Sequence, residues 1–318
     1  MSDASTFLQA KMSERFREFG RSTVIYSTHP RYACSFQPDK GSYQLGAYGQ
    51  PKQQPNISTL QLKAQNQTSE LIPHTALLGI DKFTRGNMCH TIFDHFERYY
   101  SAQMRGIQFD YFLACDTTWD WTKTVIQNIL QWHDKVLYLK PDHFYDVYNL
   151  ISYGDKLCPK HPANNCNTDY LTFLRKKFHE YIKQQMLKAN KEQSTHKLFI
   201  SRRSIHRRPD NLNKIEDLFR QNNFKVVYFE DLSFNDQLVS CYTASHIAGL
   251  HGAGLTNIMA CKQETKILEI FTNGGTNAYE LISKTLKNSY TRCDNKREPE
   301  PLRTSLQAIN AKLKKFAD

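Results

Sequence analysis

From residue 197 onward, short apolar runs alternate with amphipathic ones. Lys197 to Ser201, Lys225 to Phe229, Ser245 to Leu250 and Lys266 to Phe271 have the length and β-branched or aromatic content of buried strands. Between and after them, Leu212 to Gln221, Asn235 to Thr243, Leu255 to Ala260 and Ala278 to Leu286 have helical patterning. Strand–helix alternation with short connections predicts an α/β fold, with a parallel sheet and helices on both faces.

The first half is less regular. Thr23 to Tyr26 predicts a short strand, and residues 1–20 a polar leading helix. Residues 35–70, rich in Gln, Pro, Ser, Gly and Asn, predict loops and short strands. Ala76 to Ile80 predicts a buried strand. Phe109 to Cys115, Trp119 to Trp132 and Lys135 to Leu139 follow in βαβ order, with Trp121, Val125, Ile129 and Trp132 at helical spacing. Residues 151–167 read as a loop, Tyr170 to Leu187 as a long amphipathic helix, and Lys188 to His196 as a polar linker. This division gives an N-terminal domain over 1–190 and a C-terminal domain over 191–318. Leu302, Leu306, Ile309, Leu313 and Phe316 form one helical stripe. It predicts a terminal helix docked on the body, packing back on the N-terminal domain in one arrangement. Peripheral membrane contact is the alternative.

The chain has 318 residues, 40% of them hydrophobic, so two cores can be built. No apolar run approaches a membrane span, and residues 1–21 have no signal-peptide apolar core, so a cytoplasmic location is expected. Eight scattered cysteines without a Cys-x-x-Cys pair then read as free thiols, and the sequons at Asn56 and Asn66 as chance matches. The net charge of +11 suits an anionic ligand without choosing among nucleotide, nucleic acid, acidic glycan or membrane surface.

Chemistry concentrates after the predicted strands, where ligands bind on open parallel sheets. Ser245 to Leu250 runs into His251-Gly252-Ala253-Gly254-Leu255-Thr256-Asn257. There, backbone N–H groups at a helix start favour a phosphate, and Gly252 and Gly254 permit close approach. Ser201, Arg202 and Arg203 follow the first strand of this half, with His206, Arg207 and Arg208 close behind. Glu230 and Asp231 follow the second, and Glu269 lies within the fourth. Arginines and amides on one edge make a pyrophosphate site, and a carboxylate nearby suits ribose hydroxyls. A bland tight turn and a solvated basic loop are the competing structural readings.

Upstream, His90 and Asp94 lie four apart, on one helix face, after a potential N-cap at Asn87. Such a pair supplies a general base or is purely structural. Metal signals are poor. There is no Asp-x-Asp, and Cys158, His161 and Cys166 lack standard zinc spacing. No Walker lysine motif, Gly-x-Ser-x-Gly or Gly-x-Gly-x-x-Gly is present.

Four pieces in order resemble glycosyltransferase family 61: Leu198 to Arg203, Val226 to Gln237, His251 to Asn257, and Ile267 to Ile270. Asn87 to Asp94 is similar to the family's Asn-x-x-His-x-x-x-Asp segment. The resemblance covers roughly residues 80–290. It implies a GT-B architecture, two Rossmann-like domains facing across a cleft, with a nucleotide-diphosphosugar on the C-terminal one. It also implies an inverting transfer from a UDP-sugar, UDP-xylose or UDP-N-acetylglucosamine first, to a hydroxyl of a glycan or glycoprotein. Under it, Asp94 or His90 is the base, with Asp94 favoured. Donor contacts fall to Ser201, Arg202 or Arg203, His251, and the amides from Gly252 through Ala253 and Gly254 to Leu255. Glu269 would bind ribose and Asn257 would shape the turn. No metal or other cofactor is required. Eukaryotic members usually carry an anchor or export signal, so a bacterial or large-virus enzyme, or a trimmed domain, is expected. The rival readings are a nucleic-acid binder using Ser201 to Arg208 and an inactive glycan-binding module. The first predicts steeply salt-dependent binding, and no recognition motif supports it.

Overall fold

The computed structural model describes residues 16–18, 20–28, 31–37, 41–47, 67–80, 87–116, 120–153, 167–189, 195–205, 208–272, 276–294 and 305–317. The chain forms two compact units, residues 1–127 with 131–162, and residues 128–130 with 163–318.

The first unit holds one mixed sheet. Its strands are β1 (Phe16–Glu18), β2 (Ser22–Thr28), β3 (Arg31–Gln37), β4 (Gly41–Ala47), β5 (Glu70–Leu78), β6 (Tyr111–Cys115), β7 (Val136–Leu139) and β8 (Tyr145–Tyr153). The path runs β4-β3-β2-β8-β5-β6-β7, with β1 also on β8. Strands β8, β5, β6 and β7 are parallel, whereas β1 to β4 pair antiparallel. The expected βαβ unit is therefore present within a sheet that is only half Rossmann-like. Two expectations are corrected. Residues 16–18 are a strand rather than the end of a leading helix, and residues 151–153 belong to β8 rather than a loop. Residues 1–15, the rest of that predicted helix, lie outside the described residues. Strand β8 was missed because Asp146 and Asn149 dilute its apolar pattern, yet it joins the two halves of the sheet. Thr23 and Ser69 hydroxyls donate to the two Asp146 oxygens, each at 2.7 Å, so the polar residue is satisfied there.

Helix α1 of this unit runs as Met88–His90, a π-helical turn Thr91–His95, and Phe96–Met104. Tyr99 locks it in place: its ring stacks on Trp132 at 4.0 Å and meets Phe109 and Phe112 edge-on at 5.4 Å. Helix α2 begins at Asp120–Lys123 and continues as a π-helix, Thr124–Ile129.

The second unit holds β9 (His196–Ser201), β10 (Phe224–Tyr228), β11 (Ala244–Leu250), β12 (Lys266–Phe271) and β13 (Ser289–Asp294). All neighbours are parallel in the order β10-β9-β11-β12-β13. In chain order that is 2-1-3-4-5, a doubly wound sheet whose direction reverses between β9 and β11. The first four strands were expected; β13 was not. Its helices are α3 (Thr168–Lys188), α4 (Leu212–Gln221), α5 (Phe234–Thr243), α6 (Ala278–Thr285) and α7 (Leu306–Ala317). The segment expected to open as a helix at Leu255 is a 3₁₀ turn, Ala253–Ala260.

Helices α4 and α7 cover one sheet face. Leu212, Ile215, Phe219, Ile309, Leu313 and Phe316 cluster there with Phe199, Ala248, Leu268 and Cys293. The terminal stripe is thus spent inside this unit, which overturns both its return to the N-terminal domain and its use on a membrane surface; Leu302 lies outside the described residues. Helix α3 packs with α5, α6 and the 3₁₀ turn. The buried Arg175 guanidinium donates to the Leu286 carbonyl and to Asn288 Oδ1 at 2.5 Å. His179 Nε2 donates to the Ala260 and Cys261 carbonyls at 3.0 and 3.1 Å. These bonds tie α3 to the second unit, and the compact units divide at Pro162–Ala163, before α3. No helix among the described residues is long and apolar enough to cross a membrane.

Phe219 stacks on Phe199 at 4.1 Å and meets Phe224 edge-on. Phe219→Ala should cost about 3–5 kcal/mol through lost burial and the cavity left behind. Denaturant unfolding monitored on the second unit checks this; an unchanged midpoint would rule out the packing described.

Candidate functional site

The strand order reverses between β9 and β11, the place where doubly wound sheets bind ligands, and both recognised motifs leave the sheet at the carboxyl ends of these strands. β9 runs into Arg202 and Arg203, and β11 into His251-Gly252-Ala253-Gly254. His251 stays on the sheet edge, because its N–H bonds the Ile270 carbonyl at 2.8 Å.

Strand periodicity decides which side chains meet here. His251, Glu269 and Tyr290 lie on neighbouring strands or their ends and on the same face. His251 Nδ1 is hydrogen-bonded to Glu269 Oε1, and the Tyr290 hydroxyl donates to Glu269 Oε2 at 2.5 Å. Glu269 has no solvent exposure. Burial foremost, and then the Glu269 charge, push the Tyr290 phenol far up, so Tyr290 is a donor at any ordinary pH. The His251 ring stacks on Phe271 at 4.8 Å, meets Tyr279 at 5.8 Å, and Arg292 lies over the same Phe271 ring at 3.9 Å. Both Glu269 oxygens are hydrogen-bonded within the sheet, one to His251 and one to Tyr290.

Arg202 is the arginine of this turn. Its Nη2 donates to the His251 carbonyl at 2.9 Å. A Cβ on Gly252 would lie 2.2 Å from that nitrogen, so glycine is needed for the guanidinium to rest against the turn. Gly254 and Gly249 likewise keep the turn close to Ile200, where an added Cβ would meet its side chain at 3.2 and 3.4 Å. Arg203 points elsewhere. It pairs with Asp231 at 2.6 Å and lies 3.7 Å over the Tyr228 ring, while its backbone N–H bonds Glu230. Ser201, one residue earlier, faces the opposite side of the sheet. Its hydroxyl donates to Glu216 Oε1 at 2.6 Å, beside Tyr228 at 2.6 Å and Arg220 at 3.2 Å. Ser201 and Arg203 thus bond on a different side from Arg202, a period of two that the motif alone does not reveal.

The turn's backbone is partly used. The Leu255 N–H returns to the Gly252 carbonyl at 3.0 Å, leaving the amides of Ala253 and Gly254 as first-turn donors. Asn257 is fully buried, and its amide donates to Gln237 Oε1 at 3.1 Å and Gly254 O at 3.4 Å. Gln237 in turn donates to the Phe229 and Leu232 carbonyls. Asn257 thus fastens the glycine turn, through Gln237, to the chain leaving β10.

In the first unit, Asn87 caps α1 by accepting the His90 N–H at 3.3 Å. His90 Nδ1 and Asp94 Oδ2 are 2.6 Å apart, with side chains 9% and 13% exposed. The π-helical turn that contains Asp94 widens the backbone there, a distortion common at functional positions. The two residues are brought together as the spacing implies.

Sequence reasoning missed Tyr290, Phe271, Gln237 and Glu216. Ser289 to Asp294 has no apolar alternation to mark a strand, so nothing pointed to Tyr290. His206, Arg207 and the Cys158, His161 and Cys166 group lie outside the described residues. Among the described residues no cluster of three His, Cys, Asp or Glu side chains is arranged for a metal ion, and Cys89, Cys115, Cys241, Cys261 and Cys293 are buried and outside any disulfide.

Gly252→Ala should displace Arg202, a flexible side chain that can yield, so the fold survives while affinity for inorganic pyrophosphate falls about tenfold or more. Calorimetric titration with a parallel thermal melt separates the two effects. Glu216 gives a pH signature. Burial alone would raise its carboxyl, but bonds from Ser201, Tyr228 and Arg220 outweigh this and hold it below the usual glutamate range. Its stabilising contribution is complete above the unfolded value, about 4.3, and is lost as pH falls through the lower folded value. Glu216→Gln should flatten the acid side of the stability curve in that range; an unchanged slope would refute the assignment.

No curated protein matches the chain. The family model described as Glycosyltransferase 61 matches residues 88–268, more than half of the chain, from the helix carrying His90 and Asp94 through the glycine turn to Leu268 within β12. The chain belongs to glycosyltransferase family 61.

Proposed function

We propose that the protein is an inverting glycosyltransferase that uses a UDP-sugar, with xylose or N-acetylglucosamine as the first candidates. The observation that carries the donor reading is the convergence of Arg202, His251 and the Ala253 and Gly254 amides at the reversal point of the second sheet. A nucleoside diphosphate matches this edge, since cationic and backbone donors meet there at a turn that glycine keeps open. In this reading Arg202 neutralises the diphosphate, His251 donates to it, Glu269 holds His251, and Asn257 holds the turn. Leaving-group charge is met by these groups, so a divalent ion is not required.

The acceptor is a hydroxyl of a glycan or glycoprotein. Asp94, with His90 as its partner, removes the hydroxyl proton while the oxygen attacks the anomeric carbon. The carbon–phosphate oxygen bond breaks on the opposite side, and an α-linked donor yields a β-linked product. The His90–Asp94 hydrogen bond supports this assignment, because one partner orients the other as a base. The reading takes the two units as the halves of a GT-B enzyme, as the family resemblance implies.

A panel of UDP-, GDP- and CMP-sugars, followed by thermal stabilisation and donor hydrolysis with and without EDTA, tests the reading. One UDP-sugar should stabilise and be slowly hydrolysed, with no effect of EDTA; no response to any of them removes the proposal. Arg202→Ala should weaken UDP binding by about 10- to 150-fold, the worth of a charge-assisted contact. Asp94→Asn should abolish transfer with UDP binding nearly intact, and full activity would move the base elsewhere.

A further inference from the structure

The bond at His251 Nδ1 determines what the ring can offer at its other nitrogen. Glu269 is fully buried, and its Oε2 already accepts the Tyr290 hydroxyl. A buried carboxylate needs donors on both oxygens, and His251 Nδ1 is the group on Oε1. Nδ1 therefore carries a proton, and Nε2 is the nitrogen available to a ligand. Stacking on Phe271 and edge contact with Tyr279 fix the plane of the ring.

A diphosphate oxygen placed against Nε2 sets a second demand. The ring then lies between two anions, neither of which can donate, and it satisfies both only with a proton on each nitrogen. The other charged or titratable groups nearby are Tyr279 on α6 against the ring, Arg202 on the His251 carbonyl, Tyr290 on Glu269, and Arg292 over the Phe271 ring on which His251 stacks. Arg292 is paired with Asp294 at 2.6 Å, and the Tyr290 phenol is held far up by burial.

We propose that Tyr290 and Glu269 are positioning residues of the donor site. They hold His251 with Nδ1 toward the sheet, so that it meets a diphosphate as a cationic Nε2–H donor. Tyr290 never reaches the ligand; it acts by drawing part of the carboxylate's charge onto its own hydroxyl. The inference rests on the donor-site reading given above.

The test is the affinity for UDP, measured by calorimetry as pH is raised from about 6.5, the ordinary value of histidine, toward the tyrosine range near 10. In the wild type, affinity should fall on the alkaline side by up to about tenfold per pH unit, as one proton linked to binding is lost. His251→Gln should remove that limb. Glu269→Gln should move it to lower pH, because the anion behind Nδ1 is gone. Tyr290→Phe should move it to higher pH, because the carboxylate then bears fully on the ring. Packing alone would change affinity equally at every pH and leave the limb in place. Should Glu269→Gln fail to fold, Tyr290→Phe alone decides, since it retains the ring and deletes one hydroxyl. A wild-type affinity that is flat with pH, or a limb that Tyr290→Phe leaves unmoved, would overturn the proposal while leaving the donor site standing. Absence of UDP binding at every pH would instead bring down the donor site itself.

Discussion

A carboxylate with no access to water stands at the centre of the second unit's sheet edge, and the site is arranged around its need for partners. Glu269 lies on β12, His251 at the end of β11 on one side, and Tyr290 on β13 on the other. An ionised carboxylate left unpaired in such a place would cost several kcal/mol, so the two donors are part of what allows it there. Their bonds hold the His251 ring, whose backbone carbonyl receives Arg202. Displacing the carboxylate would release the imidazole and, through it, the frame of the glycine turn.

The glycine turn itself is a problem of space. Arg202 occupies the volume that a side chain at residue 252 would fill, and Ile200 crowds Gly249 and Gly254. The turn is therefore pinned on three sides, by the arginine, by β9, and by the Asn257–Gln237 bond that reaches the chain after β10. Such preorganised donors cost little reorganisation when a charged ligand arrives, which is the physical basis of electrostatic stabilisation at phosphate sites. The first unit follows another strategy: a short π-helical turn carries Asp94 four residues after His90, which lies in the α-helical turn that Asn87 caps.

Much of this was legible in the chain. The period of the apolar runs located β9 to β12 and helices α4 and α5 within a residue or so of their observed limits. Where polar residues fill a strand's interior, as in β8 and β13, the pattern failed, since Asp146 and Tyr290 satisfy their polarity through partners far away in sequence. The strand-end motif likewise could not separate Ser201, Arg202 and Arg203. Adjacent residues of an extended chain point to opposite sides, and the β9 terminus sends Ser201 to Glu216, Arg202 to the turn, and Arg203 to Asp231.

By itself, then, the sequence determined the class of fold, the succession of β9 to β12 with their helices, the glycine turn, the His90–Asp94 spacing and the family, because these depend on local patterning and on short motifs. Tertiary structure decided which of the neighbouring candidates meet. It assigned α3 and the terminal stripe to the second unit, set Glu269 against His251, and brought in Tyr290. The physical reason is the same in each case. Burial and hydrogen-bond satisfaction are settled between segments tens of residues apart, and a one-dimensional pattern carries no measure of that distance.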